Sequence, residues 1–123
     1  MKKIGIVGTR RRFTNSARKA IEEQLFKIYE EGDWIVSGGC PRGADRIAEG
    51  IAKSNGIPIL IFYPNWKKNG RGAGLIRNAE IAKNSDVLIA CVADDRKGGT
   101  EDTIKKYMRL CEANNKEEEL YII

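Results

Sequence analysis

Short apolar runs alternate along this chain with longer segments of helical period, and glycine stands at most of the junctions. "KIGIVG" is an apolar run that stops at Gly8 and predicts a first strand. From Asn15 to about Glu31, Ala20, Ile21, Leu25 and Ile28 recur at helical spacing, with Thr14 or Asn15 placed to cap the start and Gly32 to end it. "WIVSGG" predicts a second strand, and "ADRIAEGIAKSNG" a helix closed by Gly56. "IPILIFYP" is the most apolar run and predicts a strand buried on both faces. A loop, "NWKKNGRGAG", then leads to the helix "LIRNAEIAKNS", with Arg77 and Asn78 in its first turn. Strand "DVLIACV", loop "ADDRKGG", helix "TEDTIKKYMRLCEANN" and strand "LYII" complete the chain.

Strand and helix thus alternate, with no internal repeat and no low-complexity segment. That order predicts an α/β fold, a single Rossmann-like three-layer domain over residues 1–123, with about five mostly parallel strands and helices on both faces. One-handed crossovers leave a Rossmann-like or a flavodoxin-like strand order, and in either a ligand sits outside the carboxyl ends of the strands. The loops "GTRRRFTN", "SGGCPRGAD", "NWKKNGRGAG" and "ADDRKGGT" all lead from strand to helix, so all are expected at that edge.

Composition narrows the chemistry. The chain has 41% hydrophobic and 32% charged residues, an ordinary balance for a globular domain. No apolar run approaches the ~20 residues of a membrane span, so no membrane partner is expected. "MKKIGIVG" is read as a strand rather than a signal peptide. Three cysteines without CxxC spacing fit a reducing, cytoplasmic setting. The formal net charge is +5, yet 17 acidic residues are interspersed among 22 basic ones, so charge alone does not favour nucleic acid. The chain contains no histidine, which removes Ser-His-Asp and Cys-His catalysis and histidine metal ligation. No metal site and no cofactor are expected.

The candidate chemistry lies in the loops. Gly38, Gly39 and Gly43 fall within six residues, and glycine inside an element costs about 0.5–1 kcal/mol relative to alanine, so the cluster needs a tight turn or a close backbone approach. A glycine turn at a helix start presents free N–H groups and the positive end of the helix dipole, which suits phosphate. The plainer reading is a tight turn with Asp45 capping or neutralising the helix. "KGGTED" repeats the arrangement with Gly98, Gly99 and Thr100, while Glu101 and Asp102 complement the dipole. Neither loop is a GxxxxGK[ST] or a GxGxxG pattern. Arg77 suits a phosphate or carboxylate with its planar fork, or forms an internal ion pair with Asp45 or Glu101. Trp66, Tyr63 and Phe13 are placed to stack on a base or to pack on the sheet edge. Of Arg10, Arg11 and Arg12, Arg10 lies nearest the strand end. Cys40 is read as a passive small residue, and Cys91 and Cys111 as core.

"SGGCPRGADRIAEGIAK", "PNWKKNGRGAGLIRNAE" and "KGGTEDT" together resemble the YspA-like branch of the SLOG superfamily, which also contains DprA/Smf proteins and LOG-type phosphoribohydrolases. The resemblance implies a Rossmann-like fold that binds nucleotides or nucleotide-derived signals. It implies a ligand site made of Gly38, Gly39, Gly43, Asp45, Trp66, Arg77, Asn78, Gly98, Gly99 and Thr100, to which Gly8, Arg10 and Ser37 at the neighbouring strand ends are added as candidate ligand-binding residues. LOG-type enzymes carry PGGxGTxxE and an "RK" motif; here Thr103 stands in place of the glutamate and "RN" replaces "RK".

The leading expectation is therefore a binding protein for a nucleotide-derived small molecule, acting as sensor, carrier or sink. Backbone amides of both glycine loops and Arg77 would hold phosphate, Asp45 would accept from a ribose hydroxyl or orient Arg77, and Trp66 would cover the base. The alternative is a nucleoside 5′-monophosphate phosphoribohydrolase with Arg77 and Glu101 or Asp102 as its catalytic residues. Single-stranded DNA binding is the least favoured. Relatives imply a homo-oligomer, taken as a dimer.

Overall fold

The computed structural model describes residues 1–123. Its centre is a five-stranded, all-parallel sheet in the order β3-β2-β1-β4-β5, formed by β1 (Lys3–Gly8), β2 (Trp34–Ser37), β3 (Ile59–Ile61), β4 (Val87–Cys91) and β5 (Leu120–Ile122). The helices are α1 (Asn15–Ile28), α2 (Ala44–Asn55), a single turn α3 (Trp66–Asn69), α4 (Ala73–Lys83) and α5 (Gly99–Ala113). This is the Rossmann-like α/β fold that the strand–helix alternation predicts.

Period-two alternation divides the core into two layers. Ile4 and Ile6 of β1, Ile35 of β2 and Ile89 and Cys91 of β4 pack with Ala17, Ile21 and Leu25 of α1 and Ile47, Ala48 and Ile51 of α2. Val7, Val36, Leu88 and Ala90 point the other way, onto Ile81 and Ala82 of α4 and Ile104, Tyr107 and Cys111 of α5. The chain steps from β1 to β2 to β3 in one direction, then jumps back past β1 to β4. One-handed crossovers therefore put α1 and α2 on one face and α4 and α5 on the other. Cys91 and Cys111 are buried, as expected of core residues.

The structure corrects or sharpens several local features of the sequence reading. The strand buried along its whole length is β4, not the "IPILIFYP" run. β3 is a three-residue, half-buried edge strand. Its apolar excess arises because helices cover both faces even at the edge: Ile59 packs on the α1/α2 layer, and Leu60 and Phe62 on the other. Helix α1 ends at Ile28 rather than near Glu31, and Gly32 (φ +95°) lies in a later turn. The buried Asp33 carboxylate shapes that turn, accepting from the Glu30 and Lys2 amides at 2.9 and 2.8 Å. Thr14, not Asn15, caps α1, accepting from the Ala17 amide at 3.1 Å.

The expected "NWKKNGRGAG" loop is largely helical. Asn65 caps α3 by accepting from the Lys68 amide at 3.1 Å, and a 3-10 turn (Gly70–Gly72) leads directly into α4. Because α4 begins at Ala73, Arg77 and Asn78 lie in its second turn rather than its first. The helix dipole therefore does not disfavour an arginine there.

Gly43 has φ +75°, and a β-carbon on it would lie 2.5 Å from the Thr9 carbonyl oxygen and 2.8 Å from the Arg10 Cα. Both neighbours are backbone and cannot yield cheaply, so the start of α2 rests directly on the β1–α1 turn. Gly43→Ala should cost about 2 kcal/mol or more through combined strain and overlap, read as a lower urea midpoint at unchanged slope. A change below about 0.5 kcal/mol would refute the close approach.

Candidate functional site

At the carboxyl edge of the sheet, where the strand order reverses around β1, the loops enclose a cleft of about 990 Å³. Gly8 and Arg10 line it from the end of β1, and Gly38, Gly39 and Asp45 from the β2–α2 loop. Trp66, Arg77 and Asn78 line it from α3 and α4, and Gly98, Gly99 and Thr100 from the start of α5. Eleven of the residues expected at a ligand site thus share one cavity wall. Two do not. Ser37 is fully buried behind the wall, its hydroxyl unpartnered, and alternation points it with Ile35 toward α2. Gly43 lies outside the wall, against the β1–α1 turn.

Arg77 reaches from α4 across to β2. Its Nη1 donates to the Gly38 carbonyl, and its Nε donates to Asn78 Oδ1 at 3.1 Å. Asn78 is buried, and its amide nitrogen donates to the Gly99 carbonyl at 3.3 Å and to Asp102 Oδ2 at 3.1 Å. One chain of hydrogen bonds therefore ties the glycine turn after β2 to the start of α5. Gly38 is glycine for a visible reason: a β-carbon would lie 2.7 Å from Arg77 Nη1 and 2.9 Å from Asp45 Oδ2.

The Asp45 carboxylate faces the same turn. Gly43 stands at the N-cap of α2 without a side-chain capping bond, and Asp45 instead accepts the Cys40 amide at 3.0 Å. This amide of the "SGGC" turn is held by the protein's own carboxylate. The Asp45 carboxyl is raised above its usual value, chiefly by burial; the Cys40 amide, the Arg77 charge and the Gly38 amide pull the other way. No ion pair joins Arg77 to Asp45 or to Glu101, the two partners the sequence reading allowed.

The start of α5 offers different chemistry. Gly98 is its N-cap at φ +116°, again without a side-chain cap; the Glu101 amide turns back onto the Gly98 carbonyl at 3.2 Å, which leaves the amides of the cleft-lining Gly99 and Thr100 without a partner. Thr100 is nine-tenths buried and lines the cavity, and its hydroxyl takes no partner from the chain. Glu101 and Asp102 do not line the cleft. Arg96 holds Glu101 through two 2.9 Å bonds, and Asp102 is paired with Lys106 and with the Asn78 amide. Thr103 lines the wall at the place of the LOG-type glutamate, its hydroxyl donating to the Gly99 carbonyl at 3.3 Å.

The three arginines after β1 separate cleanly. Arg12 donates to the Val92 and Ile123 carbonyls at 3.0 and 2.7 Å, fastening the sheet edge. Arg11 makes a two-pronged bridge to Asp95 at 3.1 and 2.8 Å. Arg10 and Arg11 both line the cleft, and of the two only Arg10 forms no ion pair. Sequence reasoning also passed over wall residues. Tyr63, weighed only as a stacking candidate, lines the cleft, as do Arg71 and Lys97. Arg71 and Lys97 sit in glycine-rich loops already singled out, so proximity to those glycines was the available signal. Phe13 lies away from this cleft, in a second groove of about 800 Å³ on the α1/α2 face that contains neither glycine turn.

An all-parallel sheet with a glycine-lined, cation-rich cleft at its switch point places the chain among the Rossmann-like α/β proteins. More specifically, the chain belongs to the YspA, cpYpsA-related SLOG family, whose model matches residues 6–69, just over half of the 123-residue chain. The match runs from β1 through α3 and includes the Gly38–Asp45 turn and Trp66, whereas Arg77 and the α5 loop lie beyond it. Among curated proteins, none matches the chain. No helix is long and apolar enough to cross a membrane.

The raised Asp45 carboxyl has a consequence for stability. A carboxyl raised on folding contributes stability that is fully present below its unfolded value of about 4 and is lost as pH rises through the folded value. Asp45→Asn keeps an acceptor for the Cys40 amide and removes the buried charge. The variant should melt higher than the parent near pH 7, with the gap closing as pH falls through the carboxylate range. A gap that widens toward acid would reverse the assignment.

Proposed function

We infer that this protein binds a nucleotide or nucleotide-derived small molecule in the carboxyl-edge cleft, as a sensor, carrier or sink. Family membership supports a nucleotide-related ligand. The observation that carries the reading is that Arg77 and the start of α5, with its unpartnered Thr100 hydroxyl, line one and the same cleft. Helix-terminal amides, a hydroxyl and a guanidinium together make a phosphate subsite. The charge of the wall fits: five basic side chains and a single acid, Asp45, line the cleft.

The binding roles follow from the hydrogen-bond inventory. With the Cys40 amide committed to Asp45, phosphate is better matched to the Gly98–Thr100 turn and Arg77 than to the "SGG" turn. Asp45 and the Gly38 carbonyl are acceptors and suit ribose hydroxyls. A base would lie toward Trp66. Hydrolysis is not favoured, because Glu101 and Asp102 are held by other partners outside the wall.

Arg77→Ala should weaken binding of a nucleoside 5′-monophosphate by about tenfold to a hundredfold, the range expected for a lost charge-assisted contact. Calorimetric titration reads the affinity, and an unchanged far-UV spectrum confirms the fold. Equal affinity in parent and variant would refute the phosphate assignment.

A further inference from the structure

Two exposed aromatic rings line the cleft, and each leans on a glycine. Tyr63 is 66% exposed, and its ring atoms lie 2.4 and 2.6 Å from where a β-carbon on Gly39 would stand. Trp66 is 60% exposed, with its ring edge 3.8 Å from the same point on Gly74. The only aromatic pair in the structure is Phe26–Tyr29, so Tyr63 and Trp66 do not stack on each other. Each ring is backed by glycine, and neither is covered by another aromatic. These two rings stand on one wall, where each offers an aromatic face to a planar ligand.

The charge around them is one-sided. No acidic residue occurs between Glu49 and Glu80, whereas Lys67, Lys68, Arg71 and Arg77 all do. Arg10, Arg71 and Lys97 line the cleft without ion pairs, in addition to Arg77. One nucleoside monophosphate would occupy one ring and the Arg77–Thr100 subsite, leaving a second ring and three cations unused. A cleft of about 990 Å³ also lies at the upper end of small-ligand cavities.

We propose that the cleft takes a ligand with two nucleobases joined through phosphate, one base on Tyr63 and the other on Trp66. This rests on the nucleotide reading above and extends it from one base to two. The linking phosphates meet Arg71, Lys97 and Arg10, none of which must first break an ion pair. A pyrophosphate-bridged dinucleotide and a short phosphodiester-linked strand share this chemistry.

The test titrates the full chain with three probes: a nucleoside 5′-monophosphate, a pyrophosphate-bridged dinucleotide, and a 5′-phosphorylated, phosphodiester-linked dinucleotide. Trp34→Phe leaves Trp66 as the sole tryptophan, so its fluorescence reports stacking directly. At least one two-base probe should bind about tenfold or more tighter than the monophosphate and quench Trp66; which one does so identifies the linkage. Tyr63→Ala and Trp66→Ala should each remove about tenfold of that affinity, in line with base–aromatic stacking. Both side chains are exposed, and thermal melts verify that the variants fold. Monophosphate binding with no gain for either two-base probe, or unchanged Trp66 emission at saturation, overturns the two-base proposal and leaves the nucleotide reading standing. Failure of all three probes to bind overturns both.

Discussion

A parallel sheet covered on both faces can be joined only by crossovers that pass over it, and that constraint organises this molecule. Every strand leaves the sheet at the same edge, so the turns after β1, β2, β3 and β4 meet although they are far apart in the chain. The jump from β3 back past β1 to β4 separates the neighbouring turns and opens the cleft between them. Burial of β1 and β4 sustains the arrangement. Ile4, Ile6, Val87, Leu88, Ile89, Ala90 and Cys91 are essentially inaccessible to water, and each large aliphatic among them contributes about 1.5–3 kcal/mol when buried.

On that frame, the polar groups of the site are held largely by one another. Arg77 bonds the Gly38 carbonyl, Asn78 joins Arg77 to Gly99 and Asp102, and Asp45 accepts from the turn it follows. Buried groups of this kind are costly unless partnered, and once partnered they fix geometry. The α5 start is the exception, with the Gly99 and Thr100 amides and a nearly buried hydroxyl left without partners. The contrast divides the cleft into a prearranged acceptor side around Asp45 and a donor side at Gly98–Thr100. A nucleotide needs both, since its sugar hydroxyls donate and its phosphate accepts.

The glycines have separable reasons that only coordinates reveal. Gly38 leaves room for Arg77 and Asp45, Gly39 for the Tyr63 ring, and Gly43 for the backbone of the β1–α1 turn. Gly98 meets nothing and is required by its backbone angle alone. In the sequence all four look alike, as small residues near helix starts.

Period and punctuation in the sequence were enough to determine the strands, the long helices, the parallel α/β class and the loops that would meet at one edge. These depend on local spacing and on handedness rules that hold for any chain. Most of the candidate site was legible for the same reason, because its residues cluster at strand ends. Tertiary structure decided which side chains were already spoken for. Arg11 and Arg12 differ from Arg10 only in partners supplied from 80 or more residues away, Asp95, Val92 and Ile123. Glu101 looked available until Arg96 came to hold it, and Arg77 changed helical turns because α4 begins earlier than its apolar pattern suggests. β3 became an edge although it is the most apolar run, since strand order is set by crossovers and helix packing rather than by hydrophobicity. Apolar spacing is written along the chain, whereas the competition among charges for partners is settled only when distant segments meet.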